Sequence, residues 1–242
     1  MSTRTEPETE PESATGTGGG KRRRLSAVQR RAAIHAAAQE LALTDGLQNV
    51  THRSIAGHLG ITHTLVVHHA ADMGELRSHA CEALLREEFE SCAALAARHS
   101  SAVRQLSALI DTLSRTGRED HSSVWLDGWS IGRRDPRMAH TIRSAMDTWQ
   151  EFIAAILAEG ASREEFSVDD PQAAAWEFIA LLDGLNAHTL VAYGDPADYP
   201  ARLAAPLAAR LSLPTGALTS PSSLTVPATP TTTAPTRPEE TP

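Results

Sequence analysis

Aromatic side chains are scarce in this chain, at 4% of 242 residues, and cysteine occurs only twice. Lysine occurs once, at position 21. Long apolar runs are missing too: no stretch approaches the ~20 consecutive apolar residues of a membrane-spanning helix. The first residues are acidic and Gly-rich, not basic and then apolar as in a secretory signal. Alternating apolar and polar patterns never last beyond a few positions, which excludes a sheet-based fold. The expectation is a soluble, cytoplasmic, all-α protein that does not engage a membrane.

The two cysteines, Cys81 and Cys92, lie in a segment that reads as helix. At that separation they share nearly one face but stand roughly 16 Å apart along the axis. A disulfide between them is therefore excluded, and two buried thiols in a reducing compartment are expected. The spacing fits no metal-ligand pattern, and neither a metal nor a cofactor is expected.

A formal charge of −8 argues against nucleic acid as a partner until it is divided along the chain. Residues 21 to 78 hold eight Lys/Arg against four Asp/Glu, a net of +4. Residues 1 to 20 carry −3, and residues 79 to 242 carry −9. Such asymmetry points to a nucleic-acid-facing module attached to an acidic body.

Residues 1 to 20 and 214 to 242 are built from Pro, Thr, Ser, Gly and Glu, with little to bury. They read as disordered tails. Between them the chain is rich in Ala and Leu. Ile34, Ala38, Leu41 and Ala42 form one helix face, ended by Gly46. Thr51 is placed to cap a short helix carrying Ile55, Ala56 and Leu59 inward, which Gly60 ends. Thr62 is placed to cap a third helix, with Leu65 and Val66 facing in, and Asp72 a long fourth one. Two short helices joined by a Gly-containing turn behind a supporting helix make a helix-turn-helix. Further helices are expected at about 102–117, 121–134, 137–160, 172–193 and 198–212, with Pro136 and Pro171 at starts and Gly160 and Gly194 at stops.

The segment RRAAIHAAAQELALTDGLQNVTHRSIAGHLGITHTLVVHH resembles the DNA-binding domain of TetR-family transcriptional regulators. The order and spacing of Thr51, Ile55-Ala56 and Gly60-Ile61-Thr62 carry the likeness. Downstream, WLDGWSIGRRDPRM and LLDGLNAHTLV look like the ligand-binding domain of the BetI-like branch. The resemblance implies a DNA-binding domain at 25–72 and a ligand-binding and dimerisation domain at 73–212, flanked by a tail with a basic arm at 1–24 and a tail at 213–242. The fold class is all-α: a three-helix head followed by a helical-bundle body.

The resemblance also implies a homodimer on a palindromic double-stranded DNA operator, released by a small-molecule effector. Thr62, His63 and Thr64 open the recognition helix and meet bases or phosphates. Arg53 matches a position where an arginine reads guanine, and Thr51 either caps its helix alone or also reaches phosphate. Val67, Ala70 and Met73 stand where the family commonly has Tyr, Phe and Lys, so two phosphate anchors are replaced. His68 and His69 are nearby donors. The arm Lys21, Arg22, Arg23, Arg24 either follows the phosphate backbone or is a solvated tail.

Much of the aromatic content falls between 125 and 178, as plain core or as the wall of an effector pocket. Trp125, Trp129, Trp149 and Trp176 are the wall candidates, with Asp183 as a polar contact. Asn186 and His188 are the other polar residues of a helix otherwise apolar on two faces, one for its own bundle and one for a second subunit. Catalysis is not expected: HExxH, P-loop, GxSxG and CxxC patterns are all missing, and Glu164-Glu165 and Asp169-Asp170 read as solvated loop charge. The remaining alternative is a helical dimeric effector-binding protein with weak or lost sequence-specific DNA binding, suggested by Val67 and Met73.

Overall fold

Ser26 opens the first helix of the computed structural model, which describes residues 25–115 and 117–219. Its hydroxyl accepts from the Gln29 N–H, and the Gln29 side chain accepts from the Ser26 N–H in return. This reciprocal cap satisfies two donors that a helix start otherwise leaves unpaired. Helix α1 (Ala27–Thr44) is followed by α2 (His52–Leu59), α3 (His63–His69), α4 (Met73–Ala96), α5 (Ala102–Leu113), α6 (Glu119–Gly132), α7 (Pro136–Ser162), α8 (Pro171–Leu190) and α9 (Tyr199–Arg210). Among the described residues there is no strand, and no helix is long and apolar enough to cross a membrane.

Thr51 and Asp72 cap α2 and α4 as expected, through the N–H groups of Ser54 and Glu75. Gly60 ends α2 in the left-handed region, at φ 61°, which a residue without Cβ adopts at no steric cost. Thr62 occupies the cap position of α3, but its side chain makes no capping hydrogen bond. Pro136 and Pro171 fall at helix starts. There a missing N–H costs nothing.

Other boundaries differ from expectation. Helix α5 ends at Leu113 and α8 at Leu190, short of the predicted 117 and 193. Helix α7 runs through Gly160 to Ser162. Gly160 is not a stop: a Cβ there would collide with the Phe166 ring and come within 2.7 Å of the Ala102 Cβ. The glycine serves close packing. The C-terminal tail also begins later than residue 213, because Leu213 packs on the core and Leu218 is buried. The expected N-terminal tail with its basic arm, Lys21 to Arg24, lies outside the described residues.

Two hydrophobic clusters organise the molecule. One joins Ile34, Leu41, Leu47, Val50, Ile55 and Val66 of the head to Leu76, Leu84 and Leu85 of α4, Val124 of α6, and Met138 and Ile142 of α7. The other holds α5, the rest of α7, α8 and α9 together with Cys92 and Ala96 of α4. Fully burying each large side chain stabilises by about 1.5–3 kcal/mol. Helix α4 belongs to both clusters. The head is thus packed on the body instead of hanging from a linker.

Cys81 and Cys92 are free and buried. Burial raises their thiols to about 12 and about 11, which keeps them protonated and unreactive.

Candidate functional site

The helix-turn-helix presents Arg53 and then Thr62, His63 and Thr64 as exposed side chains around the start of α3. Behind them, Ile55, Ala56 and Val66 are buried and fix the angle between α2 and α3. Thr51 is committed to its capping box: its Oγ1 accepts from the Ser54 N–H at 3.0 Å, and its own N–H donates to Ser54 Oγ at 2.9 Å. At the far end of α3, His52 Nε2 donates to the Ala70 carbonyl at 2.7 Å. Val67 and His69 are half-buried and His68 is exposed. Partial burial lowers the His69 pKa, and the charges of His68, Arg31 and Arg30 lower it further. The charged imidazole is therefore disfavoured, and Arg30 and Arg31 supply positive charge beside it. Ala70 and Met73 pack against the head core.

In the body, α4 to α8 enclose a small cavity lined by Trp125, Met146, Trp149, Phe178, Glu88, Asp183 and others. Glu88 is 8% exposed. Its carboxylate accepts from the Trp125 indole N–H at 3.0 Å and pairs with the Arg118 guanidinium. Burial raises the Asp183 carboxyl to about 7, with the Glu88 charge as the second cause. Among the described residues no side chain or backbone group donates a hydrogen bond to Asp183. The cavity therefore pairs two aromatic faces with one compensated and one uncompensated acid.

Of the expected wall residues, the structure brings Trp125, Trp149 and Asp183 together. It does not bring Trp129 and Trp176 with them. Trp129 packs with the head-side cluster, its ring centroid 6.0 Å from that of Trp125. Trp176, two turns before Asp183 on α8, is 67% exposed. Glu88 was not legible as a site residue, although a Glu on the Leu84-Leu85-Cys92 face of a helix is the signal that finds it. Glu165 likewise is not solvated loop charge. It crosses to the start of α5, accepting from Ser101 Oγ at 2.6 Å and from the N–H groups of Ala102 and Val103.

Helix α6 touches both places. Trp125 faces the cavity, and Asp127, two residues on, reaches the head, where it accepts from the Leu47 N–H at 2.8 Å and from Gln48 Nε2 at 3.3 Å. Gly46 has φ 90°, and a Cβ there would lie 2.9 Å from Asp127 Oδ2. Nearby, Arg77 donates to the Val50 carbonyl at 2.9 Å and Arg137 pairs with Asp72 at 2.5 Å.

Residues 102–212 match the BetI-type transcriptional repressor C-terminal family. This stretch therefore carries a BetI-type C-terminal domain. Its fold is shared with a protein from Saccharomonospora viridis described as a transcriptional regulator in complex with choline: TM-score 0.67, 24% identity, covering 73% of this chain and 94% of that one. A TetR-family regulator from Agrobacterium tumefaciens aligns with TM-score 0.63 and 20% identity over 77% of this chain and 99% of its own. A TetR regulator from Haloarcula marismortui gives 0.64 and 15% identity over 76% and 97%. No curated protein matches the chain significantly.

Proposed function

We propose that this chain is a homodimeric repressor of the TetR family that leaves a palindromic operator when a small organic cation enters the cavity between Trp125, Trp149 and Asp183. The observation that carries the reading is a single helix, α6, with Trp125 in the cavity wall and Asp127 on the backbone of the head. An effector that displaces Trp125 moves Asp127 with it, and the two heads of a dimer then no longer match a spacing of about 34 Å on DNA.

The cation class rests on the uncompensated Asp183 beside indole rings, since aromatic faces and a carboxylate both attract a desolvated cation. The choline bound by the Saccharomonospora protein belongs to that class. Residues 25–72 act as the reading head, with Arg53, Thr62, His63 and Thr64 toward bases and Thr51, Val67, His68 and His69 flanking the phosphates. The arm Lys21 to Arg24 adds counterion-releasing contacts. Residues 73–212 bind effector and dimerise. The small or apolar residues Trp176, Ala180, Gly184 and Ala187 of α8 and Ala205 and Ala209 of α9 form a surface two copies can share.

Operator selection with the purified protein, followed by mobility shift of the enriched duplex with and without choline, tests the reading. The expected outcome is a palindromic site bound by two chains and released by the cation. Binding without an enriched palindrome favours the alternative of an effector-binding dimer that lacks sequence-specific recognition.

A further inference from the structure

The cavity beside Asp183 has a volume of about 30 Å³, room for about two waters. A small cation enters it by displacing Trp125, and an apolar chain attached to that cation needs further space. On the far side of Trp149 lies a second space, a cleft of about 290 Å³ between α4 and α7. Trp149 lines both.

Adjacent residues on each helix divide between the two spaces: Glu88 and Met146 face the cavity, and Phe89 and Ala145 face the cleft. The partition is therefore one layer of side chains. Trp149 and Phe89 meet edge to face with centroids 5.4 Å apart. Trp149, with the unbranched Met146 one turn before it, is the side chain that stands between the two spaces.

Chemistry changes in order along the joined path. The inner end holds Asp183 and the indole of Trp125, Phe89, Leu85 and Ala145 give the middle its apolar surface, and the mouth carries exposed Ser144, Thr148 and His140 of α7 with Glu82 and Arg86 of α4. An acid at the inner end, an apolar middle and a polar, charged rim match a molecule with one cationic head and an apolar chain.

We propose that cavity and cleft are one effector site divided by the Trp149 side chain, and that its ligand is an amphipathic organic monocation. The ammonium group sits beside Trp125 and Asp183, and the chain lies in the α4–α7 cleft. This extension rests on the cation reading above but makes a separate demand, that affinity grow with chain length.

Calorimetric titration of the full chain with tetramethylammonium, butyltrimethylammonium and octyltrimethylammonium below its micelle threshold, with 1-octanol as the neutral control, tests it. Each of the first few buried methylenes is expected to tighten binding by about three- to fourfold, so that the octyl ion exceeds tetramethylammonium by about 100-fold and octanol binds far more weakly. Ser144→Trp, at an exposed position that fills the cleft, is expected to abolish the chain-length effect while leaving tetramethylammonium within about twofold of wild type. Thr148→Trp, one turn along the same rim, provides the same reading independently of any folding defect in the first variant.

Equal affinity for all three ions, with binding still lost in Asp183→Asn, overturns the joined site and leaves the cation reading standing. Chain-length dependence that persists in both tryptophan variants overturns it as well. Octanol binding as tightly as the octyl ion overturns the ligand class, and no binding of any ammonium ion overturns both readings.

Discussion

The carboxylate of Asp127 in α6 accepts a hydrogen bond from the backbone N–H of Leu47, 80 residues earlier in the chain, at 2.8 Å. Leu47 is buried, so this N–H has no access to water as a substitute. Asp127→Ala is expected to cost about 1–3 kcal/mol by orphaning that donor. It also unlinks α6 from the head, so operator affinity becomes insensitive to effector while effector binding persists. Asp127→Asn keeps an acceptor and retains most of the stability. Thermal unfolding and operator binding with and without choline check both statements.

With the proposed cation bound beside Asp183, effector affinity is expected to depend on pH. The Asp183 carboxyl is raised to about 7, and a bound cation favours the ionised form. Affinity is therefore expected to rise with pH through about 7 and level off above it, falling by up to tenfold per unit on the acid side. In the free protein the sign is opposite: a raised folded pKa gives stability that is lost as pH rises through about 7. Asp183→Asn flattens both profiles, measured by calorimetry and thermal unfolding between pH 5.5 and 8.5.

Gly160→Ala places a methyl group against Phe166 and Ala102. Overpacking of this kind costs about 1–3 kcal/mol, despite the better helix propensity of alanine. A fall in Tm identifies Gly160 as a packing residue; a rise shows that the loop carrying Phe166 yields freely.

Glu165→Ala removes the acceptor for Ser101 Oγ and for two N–H groups at the start of α5. The Ser101 hydrogen bond, followed by those backbone donors, holds this carboxyl below the ordinary range. Loss of a cap costs about 0.5–2 kcal/mol. Because the folded pKa is lowered, the wild-type advantage over the variant is expected above the ordinary Glu range and to fade as pH falls through the folded value.

At the head, Arg53→Ala is expected to weaken operator binding by about 1–3 kcal/mol and relax selectivity at one base pair. Deleting residues 1–24 instead weakens binding to all sequences and flattens its salt dependence. Fluorescence anisotropy at several salt concentrations, on the selected operator and a scrambled duplex, separates the two.

Much of the head was legible because its signals are local. A capping Thr51, a left-handed Gly60 and apolar residues at helical spacing each act within a few positions, and α2 and α3 form where those signals place them. The start positions Pro136 and Pro171 are local in the same sense. Gly160 was misread because a glycine that ends a helix and one that admits a neighbour look identical along the chain.

By itself, then, the sequence determined the all-α class, the helix-turn-helix, the charge division between residues 21–78 and the rest of the chain, and the aromatic content from which the cavity is built. Periodicity, capping and charge are properties of contiguous residues. Only the tertiary structure decided which tryptophans line the cavity, admitting Trp125 and Trp149 and leaving Trp129 and Trp176 aside. It also decided the partners of Glu88, Asp127 and Glu165, which lie 30 to 80 residues away. Burial of charge and the satisfaction of distant donors depend on how helices pack, and no single segment of this chain contains that information.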